Sequence, residues 1–299
     1  MANVSATGSV ASLWRYPVKS MQGEELGETE VTECGLLGDR AYALIDQQDG
    51  KAASAKNTRG WPNIFAYRAA YLEPTALDDG DSVAARPVRI TLPSGRNLTS
   101  DQADVHELLS LEFGRELRLQ GRERDQRRVR QAAHDSKAPR LADSRPETGR
   151  LEEHEPNSER LAEAERGSDK GPPADTYFDL AVVHLLTTAT LERLSELYPG
   201  GRFDVRRYRP NVVVQTDVLS GFVENDWVGR TLRIGDSLRL QVTAHCPRCV
   251  MTTLPQADLP NDPGILRTAA KHNEVNVGVY ARVLQRGTVR RRDALELEE

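Results

Sequence analysis

Cys246 and Cys249 stand three positions apart in AHCPRCVMTT, residues 244–253, with His245 in front and Arg248 between them. Residues of these types bind metals or exchange disulfides, and four readings compete. A structural zinc site needs four ligands. Besides this pair the chain offers Cys34, His184, His245, His272 and carboxylates, with no second CxxC or HxxxH pair. A thioredoxin-like redox pair needs a CxxC that leads into a helix in a strand–helix–strand setting. Here the pair follows a hairpin strand and precedes VMTTLPQADLP, which lacks a helical pattern. Two ordinary buried thiols are the arrangement that spacing by itself favours. The fourth reading is a thiolate presented to some other soft metal.

A second group of residues binds anions. Lys19 and Ser20 follow a strand and a proline in YPVKS. Arg40 follows Gly38-Asp39 at the start of another strand, and Arg209 and Asn211 flank Pro210 in RPN. Each alone is a charge or an amide at a strand end. Together they are donors able to hold a dianion. A soft thiolate beside several anion donors points to a cofactor with a soft metal at one end and a phosphate at the other.

The elements that must position these groups are mostly strands. ASLWRYPVKS is a strand that ends at Pro17, and LLGDRAYALIDQQDGKAAS holds two extended runs around a turn at Gln48-Asp49-Gly50. VRITLPSGRNLTS alternates as a hairpin about Pro93-Ser94-Gly95. A short helix comes next, with Ser100 or Asp101 as its cap, an apolar face of Val105, Leu108 and Leu109, and a stop at Gly114. ELRLQ then alternates as a strand.

In the second half, residues 180–187 form a buried strand, and TLERLSELYPGG is an amphipathic helix stopped by Pro199. RPNVVVQT is a strand, and TLRIGDSLRLQVTAHC is a hairpin that turns at Gly235-Asp236. Asp262-Pro263 starts a helix, with Asp as cap and Pro in the first turn. NVGVYARVLQRGTVRRRD supplies the last strands. The fold class is α+β, β-rich and barrel-like, with a few short helices.

The 299 residues allow one large domain or two ordinary ones. Only 38% are hydrophobic and 28% are charged, so part of the chain lies outside any core. That part is residues 121–175. There is no Phe, Trp or Tyr between Gly114 and Thr176, and a basic run, RERDQRRVR, precedes an acidic one, LEEHEPNSERLAEAE. Such a segment buries too little apolar area to offset its ordering entropy and reads as a flexible charged insertion. It separates a domain at 1–120 from one at 176–299.

The net charge of −5 gives no electrostatic case for nucleic acid or for an anionic membrane. MANVSATGSV lacks the pattern of a signal peptide, and no apolar run is long enough to span a bilayer. A cytoplasmic protein is expected. Three cysteines are too few for an iron–sulfur cluster with four thiolate ligands within this chain.

In combination, these motifs resemble a known family. YPVKS and the downstream GDR resemble the N-terminal β-barrel domain that accompanies MOSC domains. YRPNVVV, GFVENDWVG, LRIGD, CPRCVMTT and GVYARVLQRGTV resemble the MOSC domain itself. The resemblance covers roughly residues 8–119 and 176–292 and extends to YcbX-type proteins and mitochondrial amidoxime-reducing components. It implies a molybdenum–molybdopterin cofactor in a cleft between the two domains. The family's metal-ligating cysteine falls on Cys249. Its cofactor contacts fall on Lys19, Ser20, Arg40, Arg209 and Asn211, with Thr187 as a hydroxyl at the cofactor and Asp179 as an acidic position before that strand. Pro247 stands where the amidoxime reducers have a serine, and Arg292-Asp293 replaces a usual Gly-Asp.

The activity so implied is molybdenum-dependent reduction of N-hydroxylated or N-oxide-like small molecules. Electrons would come from a separate ferredoxin- or flavin-type donor protein, since the chain carries no cysteine after Cys249. Nothing resembles a pyridoxal-phosphate desulfurase, so that cofactor is not expected. Two alternatives stay open: a sulfur carrier or sulfurtransferase with a persulfide on Cys249, and a non-catalytic cofactor-binding module.

Overall fold

A computed structural model describes residues 8–75, 86–121, 177–178 and 181–298. The charged insertion expected over 121–175 falls, apart from Gly121, outside the described residues. So does Asp179.

The strands of the first half are β1 (Gly8–Arg15), β2 (Glu24–Leu26), β3 (Glu28–Thr32), β4 (Gly35–Leu36), β5 (Tyr42–Asp46), β6 (Arg68–Tyr71), β7 (Val88–Thr91) and β8 (Asn97–Thr99). Helix α1 (Val105–Phe113) and β9 (Leu117–Gly121) complete it. Helix α1 ends at Gly114, whose left-handed backbone is open to glycine at no steric cost. Its N-cap is Asp104 rather than Ser100 or Asp101, and Asp104 makes no side-chain capping bond. Ser100 is used elsewhere: its Oγ accepts from the Val88 N–H and locks the β7–β8 hairpin. Sheet β6–β7–β8, the β5–β9 pair and α1 enclose one core of Val18, Leu44, Ile64, Phe65, Ile90 and Leu109 with their neighbours.

The second half contains β10 (Val183–Thr187), α2 (Thr188–Leu197), α3 (Val205–Tyr208), β11 (Val212–Thr216), β12 (Thr231–Ile234), β13 (Leu238–Pro247), α4 (Pro263–Asn273), β14 (Asn276–Gln285), β15 (Gly287–Arg290) and β16 (Ala294–Glu298). Seven strands close a barrel in the order β11-β10-β14-β13-β12-β16-β1, with β1 returning to pair with β11. The β-rich α+β architecture thus includes a closed barrel. One of its staves, β1, comes from the start of the chain and pairs with a strand at Val212–Thr216. β2 pairs on the outside of β1, and β3 pairs with β15, so residues 8–36 are built onto the second half.

Closure explains the burial pattern. β10 is buried at every residue and runs parallel to β11, as strands covered on both faces do. β12 and β13 show the alternation of a one-sided hairpin. The register of β13 against β14 shifts at Val242/Ala244 and again at His245/Pro247. Such bulges bend a strand and re-aim the residues beyond it. Cys249 is among those residues, two positions past the end of β13. Asp262 caps α4 by accepting from the Gly264 N–H, with Pro263 in the first turn.

Gly278 holds β14 against β10. Its backbone lies in the left-handed region, at φ +84°, and an added Cβ would clash with His184 Nε2 and the Leu185 carbonyl. Gly278→Ala therefore forces strain and overpacking together. It is expected to lower stability by about 1–3 kcal/mol. Chemical denaturation checks this, with Gly95→Ala, where open space surrounds the site, as the control for loss of positive φ alone.

Candidate functional site

One cleft collects most of the chemistry-bearing residues. Lys19, Ser20, Arg40, Arg209, Asn211 and Cys249 all line it. So do Lys56, Tyr208, Arg248, His184 and Tyr280, with Phe178, Val250 and Met251 as apolar wall. The first four cleft residues come from turns: Lys19-Ser20 after β1, Arg40 before β5, and Arg209 between α3 and β11.

These turns bend sharply. Ser20, Arg40 and Arg209 have φ of 65°, 48° and 54°, the left-handed region that non-glycine residues avoid. Each such residue costs on the order of 1 kcal/mol or more and persists only where its surroundings over-determine it. The surroundings do so here. Backbone bonds tie Lys19 N–H to Tyr42 O, Arg40 N–H to Tyr16 O and Arg209 N–H to Val205 O. Ser20 Oγ accepts from the Ala55 N–H at 3.1 Å.

Asp39, which the sequence motifs place only as a neighbour of Arg40, is the hub. Its side chain is fully buried. Oδ1 accepts from the Tyr16 N–H at 2.7 Å, and Oδ2 accepts from Asn211 Nδ2 at 2.8 Å and from Arg40 Nη1. Asn211 in turn accepts from the His184 N–H through Oδ1 and donates its own N–H to the His184 carbonyl. Tyr16 is a second shared element. The Arg209 and Arg40 guanidiniums lie over its ring, 4.1 and 4.9 Å from the centroid, so one quadrupole stabilises two cations. Its hydroxyl donates to the Pro210 carbonyl.

Cys249 is half-buried, just before the short 3-10 turn Val250–Thr253. That turn is anchored from behind by Arg207, 1% exposed, which donates to the carbonyls of Arg202, Thr252, Leu254 and Pro260. Cys246 differs from Cys249: it is fully buried, and Arg248 Nη1 donates to its sulfur. The two cysteines of the CxxC spacing thus sit in different environments. None of the three cysteines is in a disulfide, and among the described residues no three His, Cys, Asp or Glu side chains converge as a metal site. Burial opposes the Arg248 charge, but Cys246, Tyr280 and Cys249 hold its pKa above the ordinary value. Tyr208 lines the cleft, and its hydroxyl is buried without a hydrogen-bond partner among the described residues.

Thr187 does not line the cleft. It caps α2 by accepting from the Thr190 N–H and donates to Glu224 Oε2 at 2.6 Å. Thr190 donates to the same oxygen, and burial pushes the Glu224 carboxyl upward in pKa. The hydroxyl expected at the cofactor is thus committed to a buried carboxyl, which needs both donors.

Residues 175–296 match the MOSC domain, and residues 7–108 match the MOSC N-terminal beta barrel domain. The chain belongs to the MOSC-domain proteins and carries that N-terminal domain as well. It is 24% identical over 261 residues to mitochondrial amidoxime reducing component 2 of Rattus norvegicus, covering 83% of this chain and 67% of that one. Among solved structures, YUAD from Bacillus subtilis aligns with 97% of this chain and 94% of its own, at 10% identity and a TM-score of 0.45. YiiM from Geobacillus stearothermophilus aligns with 40% of this chain and 55% of its own, at 22% identity and a TM-score of 0.31. No helix among the described residues is long and apolar enough to cross a membrane.

His184 supplies a pH test. It is 5% exposed, and its Nε2 lies 3.1 Å from the Val277 carbonyl. Burial, reinforced by the Arg248 and Arg40 charges, pushes its pKa down from 6.5 to about 3. The unfolded chain therefore binds a proton that the folded chain refuses, and His184 subtracts stability as pH falls from about 6.5 towards about 3. Urea titrations across this window should show a shallower pH slope for His184→Gln than for the unsubstituted protein. Equal slopes would remove His184 as the cause.

Proposed function

We propose that this cleft holds a molybdenum–molybdopterin cofactor and that the protein reduces N-hydroxylated or N-oxide-like compounds with electrons from a separate donor protein. The carrying observation is the placement of a half-buried thiol, Cys249, in one cleft with Lys19, Arg40 and Arg209. The donor set suits such a group. A thiolate is a soft ligand, and molybdenum bound by dithiolene sulfur is a soft site. Lysine and arginine side chains are the usual partners of a phosphate.

When bound, the cofactor supplies two-electron removal of an oxygen atom: N-hydroxyl compound, two electrons and two protons give the reduced nitrogen compound and water. The chain would supply the metal ligand, the cofactor clamp and the substrate wall. Cys249 is the metal ligand, held in place by the turn that Arg207 anchors. Lys19, Arg40 and Arg209 clamp the phosphate and pterin, with Asp39 fixing Arg40 and the Tyr16 ring supporting both arginines. Phe178, Val250 and Met251 leave an apolar wall for the substrate body.

The family likeness supports this reading through a relative whose name states amidoxime reduction, at low identity. A persulfide carrier role for Cys249 uses the same thiol without molybdenum. Purification from a host that makes the cofactor discriminates. Near-stoichiometric molybdenum is expected, and Cys249→Ser should abolish reduction of benzamidoxime by a chemically reduced viologen while Cys246→Ser retains it. Less than about a tenth of a molybdenum per chain, with a persulfide on Cys249, would replace this reading with the carrier.

A further inference from the structure

We infer that Cys246 is a positioning residue: its sulfur is the acceptor that aims the Arg248 guanidinium, and Arg248 so held sets the charge beside Cys249. This rests on the role proposed above for Cys249 and gives the first cysteine of the CxxC spacing a role of its own.

The surroundings of Cys246 argue against the commoner uses of such a residue. It is 0% exposed at the end of β13 and is in no disulfide. Exchange with a partner thiol needs an accessible sulfur. Packing by itself does not describe it either, because Arg248 Nη1 donates to its Sγ. A thiol is a weak acceptor. A guanidinium N–H that loses its acceptor in a buried setting nevertheless costs more than the weak bond returns.

Arg248 is anchored by its backbone and by both arms of its fork. Its N–H donates to the Val275 carbonyl, Nη1 to Cys246 Sγ, and Nη2 to the Tyr208 carbonyl at 2.9 Å. Val275 has φ of 61°, a region that a β-branched residue avoids. Backbone held in this way persists where its surroundings over-determine it, and such residues cluster at functional sites. Tyr208 ends α3, one position before Arg209 of the proposed clamp. Arg248 therefore ties the end of β13 to the turn that carries Arg209.

The same side chain bears on Cys249. Both residues line the cleft. Burial opposes the Arg248 charge, while Cys246, Tyr280 and Cys249 favour it, so the guanidinium lies within electrostatic reach of both sulfurs. A guanidinium is planar, and its donors have a fixed geometry. With Nη2 on the Tyr208 carbonyl, the acceptor for Nη1 sets the plane of the fork and the distance of its charge from Cys249. Serine at position 246 keeps an acceptor there, and alanine does not.

The experiment uses the cofactor-free full chain, so its result does not depend on molybdenum. Cys249 is alkylated with iodoacetate, an anion, and with iodoacetamide, which is neutral. Peptide mass spectrometry separates adducts at Cys249 from those at Cys34 and Cys246. Both reagents attack the thiolate, so the ratio of their rates cancels the thiolate fraction and reads the charge around the sulfur. General loosening of the fold would change both rates and leave the ratio. Cys246→Ala should lower the iodoacetate-to-iodoacetamide ratio by about threefold or more, as expected when one unit charge moves away from a partly exposed site. The difference should shrink at high salt. Cys246→Ser should keep the ratio of the unsubstituted protein. Arg248→Gln should lower it at least as far as Cys246→Ala, and adding Cys246→Ala to Arg248→Gln should lower it no further. Cys246→Val, which fills the space without an acceptor, takes the place of Cys246→Ala if urea titration shows that the alanine variant does not fold. A ratio unchanged without the acceptor or in Arg248→Gln, a ratio lost in Cys246→Ser as in Cys246→Ala, or additive losses in the double variant overturn the inference. Purified protein without molybdenum counts instead against the function proposed above, and the alkylation ratios then still decide the role of Cys246.

Discussion

The cleft depends on one buried carboxylate. Asp39 accepts from the backbone at Tyr16, from the Asn211 amide and from Arg40, and so joins the end of β1, the start of β5 and the start of β11. A buried charge of this kind costs several kcal/mol to desolvate and is retained only when its partners are well placed. Here they are the residues that shape the cleft. Asn211 then passes the constraint to His184 on β10, and Tyr16 passes it to Arg209 by the ring that both arginines share. Removing the carboxylate would leave Arg40 without its counter-charge, an unsatisfied amide and two cations near one ring.

Positive φ at Ser20, Arg40 and Arg209 is the local counterpart. A chain that leaves a strand in ordinary extended or helical conformation would carry these side chains away from Cys249. Left-handed turns bring them back, at a cost that the fold offsets through Asp39 and the backbone bonds around it. The barrel provides the stiffness. With β1 inserted beside β11, Lys19-Ser20 and Arg209-Asn211 emerge from adjacent staves, so strand pairing sets their spacing. Two bulges on β13 bring Cys249 to the same opening.

Local features of this arrangement were legible in the sequence. The hairpin of β12 and β13, the Asp262 cap and the Gly114 stop all arise from short-range chemistry, which is carried by residues a few positions apart. So were Lys19, Arg40 and Arg209, whose types and strand-end positions mark them before any contact is known; Cys249 is set apart from Cys246 only by the family resemblance. The features that escaped depend on long-range contact. No local pattern says that β1 closes a barrel with strands near residue 212. Asp39 looks like a turn residue until its three partners are seen. Lys56 lies in a polar turn with no motif around it. Thr187 misleads for the opposite reason: its hydroxyl suits a cofactor, but Glu224, distant in sequence, takes it.

The central claim is that Cys249, and not Cys246, binds molybdenum in this cleft. X-ray absorption at the molybdenum edge of the loaded protein tests it directly. The account predicts one fewer sulfur ligand in Cys249→Ser than in the unsubstituted protein, and no change in Cys246→Ser. An unchanged sulfur shell in Cys249→Ser, or a ligand lost in Cys246→Ser, would contradict it.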